Sequence, residues 1–472
     1  MISVRRRGSA RLAAAVLASG LVAAGAIATA APAVADDTVP FEGGVTATLN
    51  GLEVFDDAVI THKDGKKQKV GAGLFGMTVN GGGSLQTYCI DIANPTQKKA
   101  QYEEKSWDQT SLHNNADAGK IRWILQNSYP QVNDLAALAE AAGAGSLTEK
   151  TAAAGTQVAI WRYSDQANVE AKNPEAEKLA DYLEKSAQNL EEPKASLILD
   201  PPAVSGKPGD RLGPIKVQTN AESATVEPGA AAADVKVVDK NGQPVTSVAN
   251  GGELFFDVPT DTPAGSTSLN VKATTKVEVG RAFASPTKSQ TQILAGFSES
   301  TVTATATAEW AKTGAVPAVS ATENCTKGGV DVTASNEGDE PFTFELGGQK
   351  HTIEAGKSET VTLPVKEDQA YKFTITGPNG FEKTFEGVLD CETVGTDEGP
   401  VPSSEPSPAT AGGSGDEAGD ADSDTPAGEG DLAETGSSSA TPVIAGVAFA
   451  LVLAGGATVF LLRRKKAATA GE

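Results

Sequence analysis

The chain has 472 residues and a formal net charge of -22, with 39 Lys and Arg against 61 Asp and Glu. So acidic a polypeptide argues against nucleic-acid binding and fits a solvated, self-repelling surface. Once the two ends described below are removed, roughly 400 residues remain, the length of about two to four domains.

Residues 1–35 carry the pattern of an export signal. Arg5, Arg6, Arg7 and Arg11 give a basic start, and an apolar run of Ala, Leu, Val and Gly extends from Leu12 to Ala30. Ala33-Val34-Ala35 is a small-residue cleavage site, which makes Asp36 the mature N-terminus. An uncleaved anchor is the competing reading, and Asp36-Asp37 directly after the site favours cleavage.

Residues 36–193 predict an α+β head, with strands first and helices after. Val70–Val79 and Leu85–Ile92 flank Gly81-Gly82-Gly83 as a hairpin. Ala118–Asn127 reads as a helix with Ile121, Ile124 and Leu125 on one face. Asn133 is placed to cap a short helix ending near Gly143. Ser146 and Glu149 form a capping box for a helix running to about Tyr163. Asn173-Pro174 opens another helix, with Ala176, Leu179, Ala180 and Leu183 as its apolar stripe.

Residues 194–314 read as short Val/Thr/Ile/Phe-rich strands: Ala195–Leu199, Leu212–Gln218, Asp234–Val238, Glu253–Val258, Ser268–Val279 and Ser300–Glu309. Asn-Gly, Pro-Gly and Pro-Ala-Gly turns separate them, which suits an antiparallel sandwich. Residues 315–393 repeat the style on a smaller scale, with Gly329–Ser335, Pro341–Leu346, Glu359–Pro364, Ala370–Thr376 and Phe381–Val388. The fold class expected is therefore multidomain: an α+β head followed by two all-β Ig-like modules as a stalk. Residues 394–431 are Gly, Ser, Pro, Asp and Glu, a composition that predicts a disordered acidic linker.

Residues 432–472 hold three signals in order. Leu432-Ala433-Glu434-Thr435-Gly436 comes first, then the uncharged apolar stretch Thr441–Leu462, then Arg463, Arg464, Lys465 and Lys466. At about 1.5 Å rise per residue the apolar stretch is long enough to span a bilayer as a transmembrane helix. The basic tail would stay on the cytoplasmic side. An ordinary single-span anchor is the competing reading.

Three cysteines in an exported chain leave one unpaired. Cys325 and Cys391 bracket the last β module, and a bridge between them would close a loop worth roughly 4 kcal/mol in the chain-entropy model. Two free thiols, or a bridge from either to Cys89, remain alternatives. Cys89 sits in Tyr88-Cys89-Ile90-Asp91, where by itself it reads as a small buried hydrophobe. Further on, Gln157 and Trp161 share a helix face in Thr156-Gln157-Val158-Ala159-Ile160-Trp161. A glutamine between small residues and an indole loses solvent without an evident partner.

Taken in order, Tyr88-Cys89-Ile90-Asp91, Lys120–Leu125 with Asn127-Ser128-Tyr129-Pro130, and Thr156–Trp161 resemble the thioester, or TQxA, domain of Gram-positive surface adhesins. The likeness covers roughly residues 40–190. It implies an internal thioester between Cys89 and Gln157, with Tyr88, Asp91, Thr156 and Trp161 around it. It also implies covalent, single-use capture of an amine on a target surface, not turnover. A cysteine hydrolase or transglutaminase would need a basic partner, and the head offers only His62 and His113, neither in a catalytic motif. A non-reactive structural or binding protein of the cell wall is the remaining alternative.

The C-terminal segment is similar to the LPxTG sorting signal, in the LAxTG form used by class E sortases of high-GC actinobacteria. That likeness implies a sortase and peptidoglycan as partners, cleavage between Thr435 and Gly436, and a protein secreted and anchored to the cell wall. No cofactor is expected. No metal-ligand cluster or phosphate-cradling glycine loop appears, no metal site is expected, and Lys236, Lys272 and Lys276 carry no distinctive isopeptide pattern.

Overall fold

The computed structural model describes residues 43–229 and 234–393. The expected export signal with its Ala35/Asp36 junction, the linker and the sorting signal with Thr435, Gly436 and its apolar span lie outside the described residues. Among the described residues no helix is long and apolar enough to cross a membrane.

The head begins with β1 (Thr46–Thr61), β2 (Lys67–Val79), β3 (Ser84–Cys89) and β4 (Gln101–Lys105). Four helices follow: α1 (Ala118–Gln126), α2 (Leu135–Ala141), α3 (Glu149–Ser164) and, after the short β5 (Val169–Ala171), α4 (Pro174–Ser186). The β2–β3 turn uses Gly82 and Gly83 at positive φ, +95° and +102°, a conformation that side chains disfavour.

Helix α3 is buried on nearly every face, from Thr151 through Trp161. An amphipathic stripe would not suit such a position, which explains its continuous run of small and apolar residues. Gly155 lets α4 approach closely, because a Cβ there would press on the carbonyl of Ala176 and on Leu179. Two caps differ from expectation. Thr148, not Ser146, caps α3: its Oγ1 accepts the Thr151 N–H at 3.2 Å, while Thr151 Oγ1 accepts the Thr148 N–H at 2.8 Å. Asp134, not Asn133, caps α2 by accepting the Ala137 N–H at 3.1 Å. In both cases the nearer residue reaches the first turn. Asn173 caps α4 as expected, with Pro174 in the first turn.

The second segment contains β6 (Leu197–Asp200), β7 (Ala203–Gly206), β8 (Arg211–Thr219), β9 (Ala224–Pro228), β10 (Lys236–Val238), β11 (Ser247–Val248), β12 (Glu253–Asp257) and β13 (Gly265–Thr275). The chain then makes β14 (Ala282–Ala284) and β15 (Gln292–Phe297) before β16 (Ser300–Trp310). Two sheets, β10-β12-β8-β6 and β11-β9-β13-β16-β7, form the sandwich. β14 and β15 belong to neither.

They lie instead in the head, in a seven-stranded sheet ordered β2-β3-β15-β14-β4-β1-β5, and an added β1–β2 pairing closes it on itself. Residues 194–314 are therefore not a module set apart from the head. The chain leaves the sandwich after Thr275, fills the gap between β3 and β4, and returns as β16 along the full length of β13. Without this excursion β3 and β4 would each present an unpaired edge. Its strands are buried on both faces, so they lack the alternation that marks a sandwich strand.

A buried ion pair joins the two regions. Arg281 Nε lies 2.9 Å from Glu104 Oε1, with 4% and 1% of the side chains exposed. Ser196 and the Val45 N–H also donate to the Glu104 carboxylate, and Arg281 reaches Glu192 at 2.6 Å. Both charges are thus paired and hydrogen-bonded.

The last module comprises β17 (Pro317–Asn324), β18 (Gly329–Asn336), β19 (Phe342–Leu346), β20 (Gln349–Ile353), β21 (Lys357–Pro364), β22 (Ala370–Thr376) and β23 (Glu382–Val388). They pair as β17-β18-β21, β19-β20 and β22-β23. This differs from the two facing sheets of an Ig-like module: tight hairpins make two of the sheets local. Phe342, Phe344, Ile375 and Phe381 fill the core between them. Cys325 and Cys391 form a disulfide with Cα atoms 5.2 Å apart, and Cys89 is the free, buried thiol.

Candidate functional site

Strand β3 ends at Cys89, and α3 crosses it so that Gln157 meets that residue. The Cys89 N–H donates to Gln157 Oε1 at 3.0 Å, and Gln157 Nε2 donates back to the Cys89 carbonyl at 2.9 Å. The carboxamide therefore pairs with the Cys89 backbone as a neighbouring strand would. Both residues are fully buried, which answers how this glutamine is satisfied away from water.

Trp161, one helical turn on, donates its Nε1–H to Cys89 Sγ at 3.3 Å, and the Asp91 N–H approaches Sγ at the same distance. Tyr88 donates to the Tyr129 carbonyl at 2.8 Å, and Thr156 returns its hydroxyl to Ala152 within the helix. The structure thus brings Tyr88, Cys89, Asp91, Thr156, Gln157 and Trp161 into one solvent-free region.

Burial pushes the Cys89 thiol well above its ordinary range, and the carboxyl groups of Asp165 and Asp91 push it further. The group is a neutral thiol, not a standing thiolate. His62 is bound to Gln68 Oε1 at 2.9 Å and His113 to the Thr110 carbonyl at 3.1 Å. Neither imidazole is a partner of Cys89 in these bonds, so they form no Cys–His pair.

Sequence reasoning missed the surrounding support. Asp165, just past α3, accepts the Ile92 N–H at 2.8 Å and a hydroxyl from Ser164 at 2.6 Å, and burial raises its carboxyl to about 6. Gln290 donates to the Asp91 carbonyl at 2.6 Å, and Gln292 Oε1 accepts from Thr87 at 3.0 Å. Asp165 had a legible signal as a carboxylate ending the Gln157 helix. The glutamines had none, because they arrive from a distant segment.

Structure also assembles a carboxylate group that linear spacing does not display. Glu367, Asp368 and Asp390 of the last module each place an oxygen within 4.8 Å of the others. Asp368 and Asp390 reach Asn94 and Thr291 of the head, which places their charges near Asp91 at the seam.

Chemically, a thiol and a carboxamide held in register can exchange. Sulfur attacks the amide carbon, the C–S bond forms, the C–N bond breaks, and the thiol proton leaves with nitrogen as ammonia. Fixed contact is what makes two such unreactive groups competent.

A buried cysteine at the end of a strand, clasped by a glutamine from a facing helix, is the arrangement that defines this site. Residues 86–189 match the family model described as the thioester domain. Residues 314–388 match a second family model, the C-terminal domain of bacterial phospholipase C. Among solved structures, the chain is similar to the Bacillus anthracis TIE protein at 16% identity, with a TM-score of 0.27, over 74% of this chain and 81% of that one. It is likewise similar to the thioester domain of the Enterococcus faecium TIE86 protein at 16% identity, with a TM-score of 0.26, over 59% of this chain and 100% of that one. No curated protein matches the chain. The thioester-domain match stops at residue 189, short of the strands β14 and β15 that complete its sheet.

Proposed function

We propose that this protein is a surface adhesin whose Cys89–Gln157 thioester captures an amine on a target surface covalently. The observation that carries the reading is the double hydrogen bond between the Gln157 carboxamide and the Cys89 backbone. Capture would transfer the Gln157 acyl group from sulfur to the incoming amine nitrogen and return the proton to sulfur. Each molecule would act once, so the protein is a stoichiometric reagent and not an enzyme. The buried indole of Trp161 and the ring of Tyr88 would keep water from the acyl carbon.

The same reading makes the protein secreted and wall-bound. Ala35/Asp36 would be the export cut, and a sortase, of class E by the LAxTG form, would join Thr435 to peptidoglycan and release Gly436 onward. Residues 394–431 would then give the folded part its reach beyond the wall.

Intact mass spectrometry of the whole exported chain tests the thioester. The whole chain is required because β14 and β15 complete the head. The product should be lighter than its sequence by one ammonia beyond the disulfide, Cys89→Ala should restore that mass, and methylamine should add to Gln157. A wild-type chain of full mass that gains no methylamine would sink the reading. That outcome would favour a non-reactive structural or binding protein of the cell wall.

A further inference from the structure

Asp91 is fully buried, yet only one of its carboxylate oxygens is satisfied. Oδ2 accepts from Asn94 Nδ2 at 2.7 Å. Among the described residues nothing donates to Asp91 Oδ1, and the same holds for Asp390 Oδ1 across the seam. Leaving a carboxylate oxygen buried and unsatisfied is costly, so these two atoms need an explanation.

The surroundings supply more negative charge. Asn94 Nδ2 also reaches Asp368 Oδ1 at 3.5 Å, so one amide bridges the Asp91 carboxylate to the acidic group of the last module. Asp390 Oδ2 accepts from Thr291 Oγ1 at 2.8 Å. The Cys391 and Glu392 N–H groups, each at 2.9 Å from Oε1, fix the Glu367 carboxylate in place. Against these four carboxyl groups stands the ammonium of Lys288, 3.0 Å from Asp368 Oδ2 on a half-exposed side chain. That side chain can swing into solvent without leaving a buried charge behind.

We infer that Glu367, Asp368 and Asp390, backed by Asp91, form a site for a hard divalent cation of calcium size between the last module and the head. The donor set is all oxygen, which suits calcium and not a thiophilic metal. Oxygens within 4.8 Å of one another can share one ion at ligand distances of about 2.3–2.6 Å. Magnesium demands about 2.0–2.1 Å and a stricter octahedron. The ion would answer the orphaned oxygen of Asp390 directly, and its charge would offset the burial and the neighbouring carboxylates that raise Asp390 and, just outside the group, Asp91. It would also brace the segment that carries Cys89, because Asp91 follows that residue by two positions. The inference does not depend on the thioester: a chain with no thioester would present the same four carboxyl groups.

The test is calorimetric titration of the whole exported chain, stripped with chelator, with calcium chloride, alongside melting with and without the ion. One ion should bind per chain and raise the melting temperature by several degrees. Asp368→Asn and Asp390→Asn should each weaken binding by at least about tenfold. Asp368 is partly exposed, with 26% of its side chain open, which keeps the first variant foldable, and the wild-type titration stands without either. Absence of saturable binding would overturn the site, as would unchanged affinity in both variants. So would a calcium-free chain that gains the whole stabilisation on acidification while calcium adds nothing. That result would mean Asp91 and Asp390 share a proton and not a metal.

Discussion

Gln292 is the direct antiparallel partner of Cys89, so the strand that carries the thiol is held on one side by a segment from beyond the sandwich. Gln290, Thr291 and Gln292 then supply three separate contacts to Asp91, Ile90 and Thr87. The geometry of the cysteine–glutamine pair is consequently a property of residues 43–297 and not of the matched segment alone. Shortening the chain to residues 36–193 should leave no cooperative melting transition for the head. Within the intact chain, Leu294→Ala in the fully buried centre of β15 should cost about 2–5 kcal/mol. Urea unfolding monitored by tryptophan fluorescence would measure it, and a loss under 1 kcal/mol would show β15 to be dispensable.

Trp161→Phe keeps most of the ring and removes the N–H that Sγ accepts. A single lost hydrogen bond of this kind should lower stability by about 1 kcal/mol. If the thioester forms, the variant should also hydrolyse faster on storage, seen as a growing fraction one water heavier by mass. Equal lifetimes in variant and wild type would remove Trp161 from any protective role.

Asp165 gives the head a signed pH dependence. Its carboxyl is raised from 3.8 to about 6 by burial, so the folded state holds the proton more tightly than the unfolded chain does. Stability from this group is full below about pH 4 and is lost as pH rises through about 6. Asp165→Asn should therefore be more stable than wild type at pH 7, by up to about 3 kcal/mol, and the gap should close below pH 4. Asparagine can still accept the Ile92 N–H through its amide oxygen. Asp91 and Asp390 are raised in the same direction, so the difference between variant and wild type is the quantity to follow. A constant difference from pH 4 to pH 7 would contradict the assignment.

Arg281→Met would strand Glu104 at 1% exposure with no cation beside it. Breaking a buried pair in this way costs about 3–5 kcal/mol. Replacing both partners, Arg281→Met with Glu104→Gln, should recover a good part of that loss in the same denaturation assay. Failure of the double variant to recover would mean that the hydrogen bonds to Ser196 and Val45 matter more than the charge.

Much of the site was legible because its residues announce themselves locally. Tyr88-Cys89-Ile90-Asp91 ends a hairpin strand, and Gln157 and Trp161 share a helix face, so facing the two elements brings thiol, amide and indole together. Asn173-Pro174 was equally plain, since a cap needs only its own first turn. What the sequence hid was long-range. Ala282–Ala284 and Gln292–Phe297 are buried on both sides, and nothing in their composition tells which of two sheets they join. The long strand β1 escaped notice because Asn50-Gly51 and Asp56-Asp57 interrupt its apolar pattern. Glu367, Asp368 and Asp390 look like ordinary surface acids in the chain, and only the pairing of residues 367–369 with residues 389–392 inside the last module gathers them.

The excursion through β14 and β15 also sets an order of events. A polypeptide is made from its N-terminus, and its domains fold as they are completed. Here the wall of the head stays open between β3 and β4 until residue 297 has been made, long after Cys89 and Gln157 have both appeared. The two reactive partners exist early, and their final enclosure must wait for the end of the chain's detour.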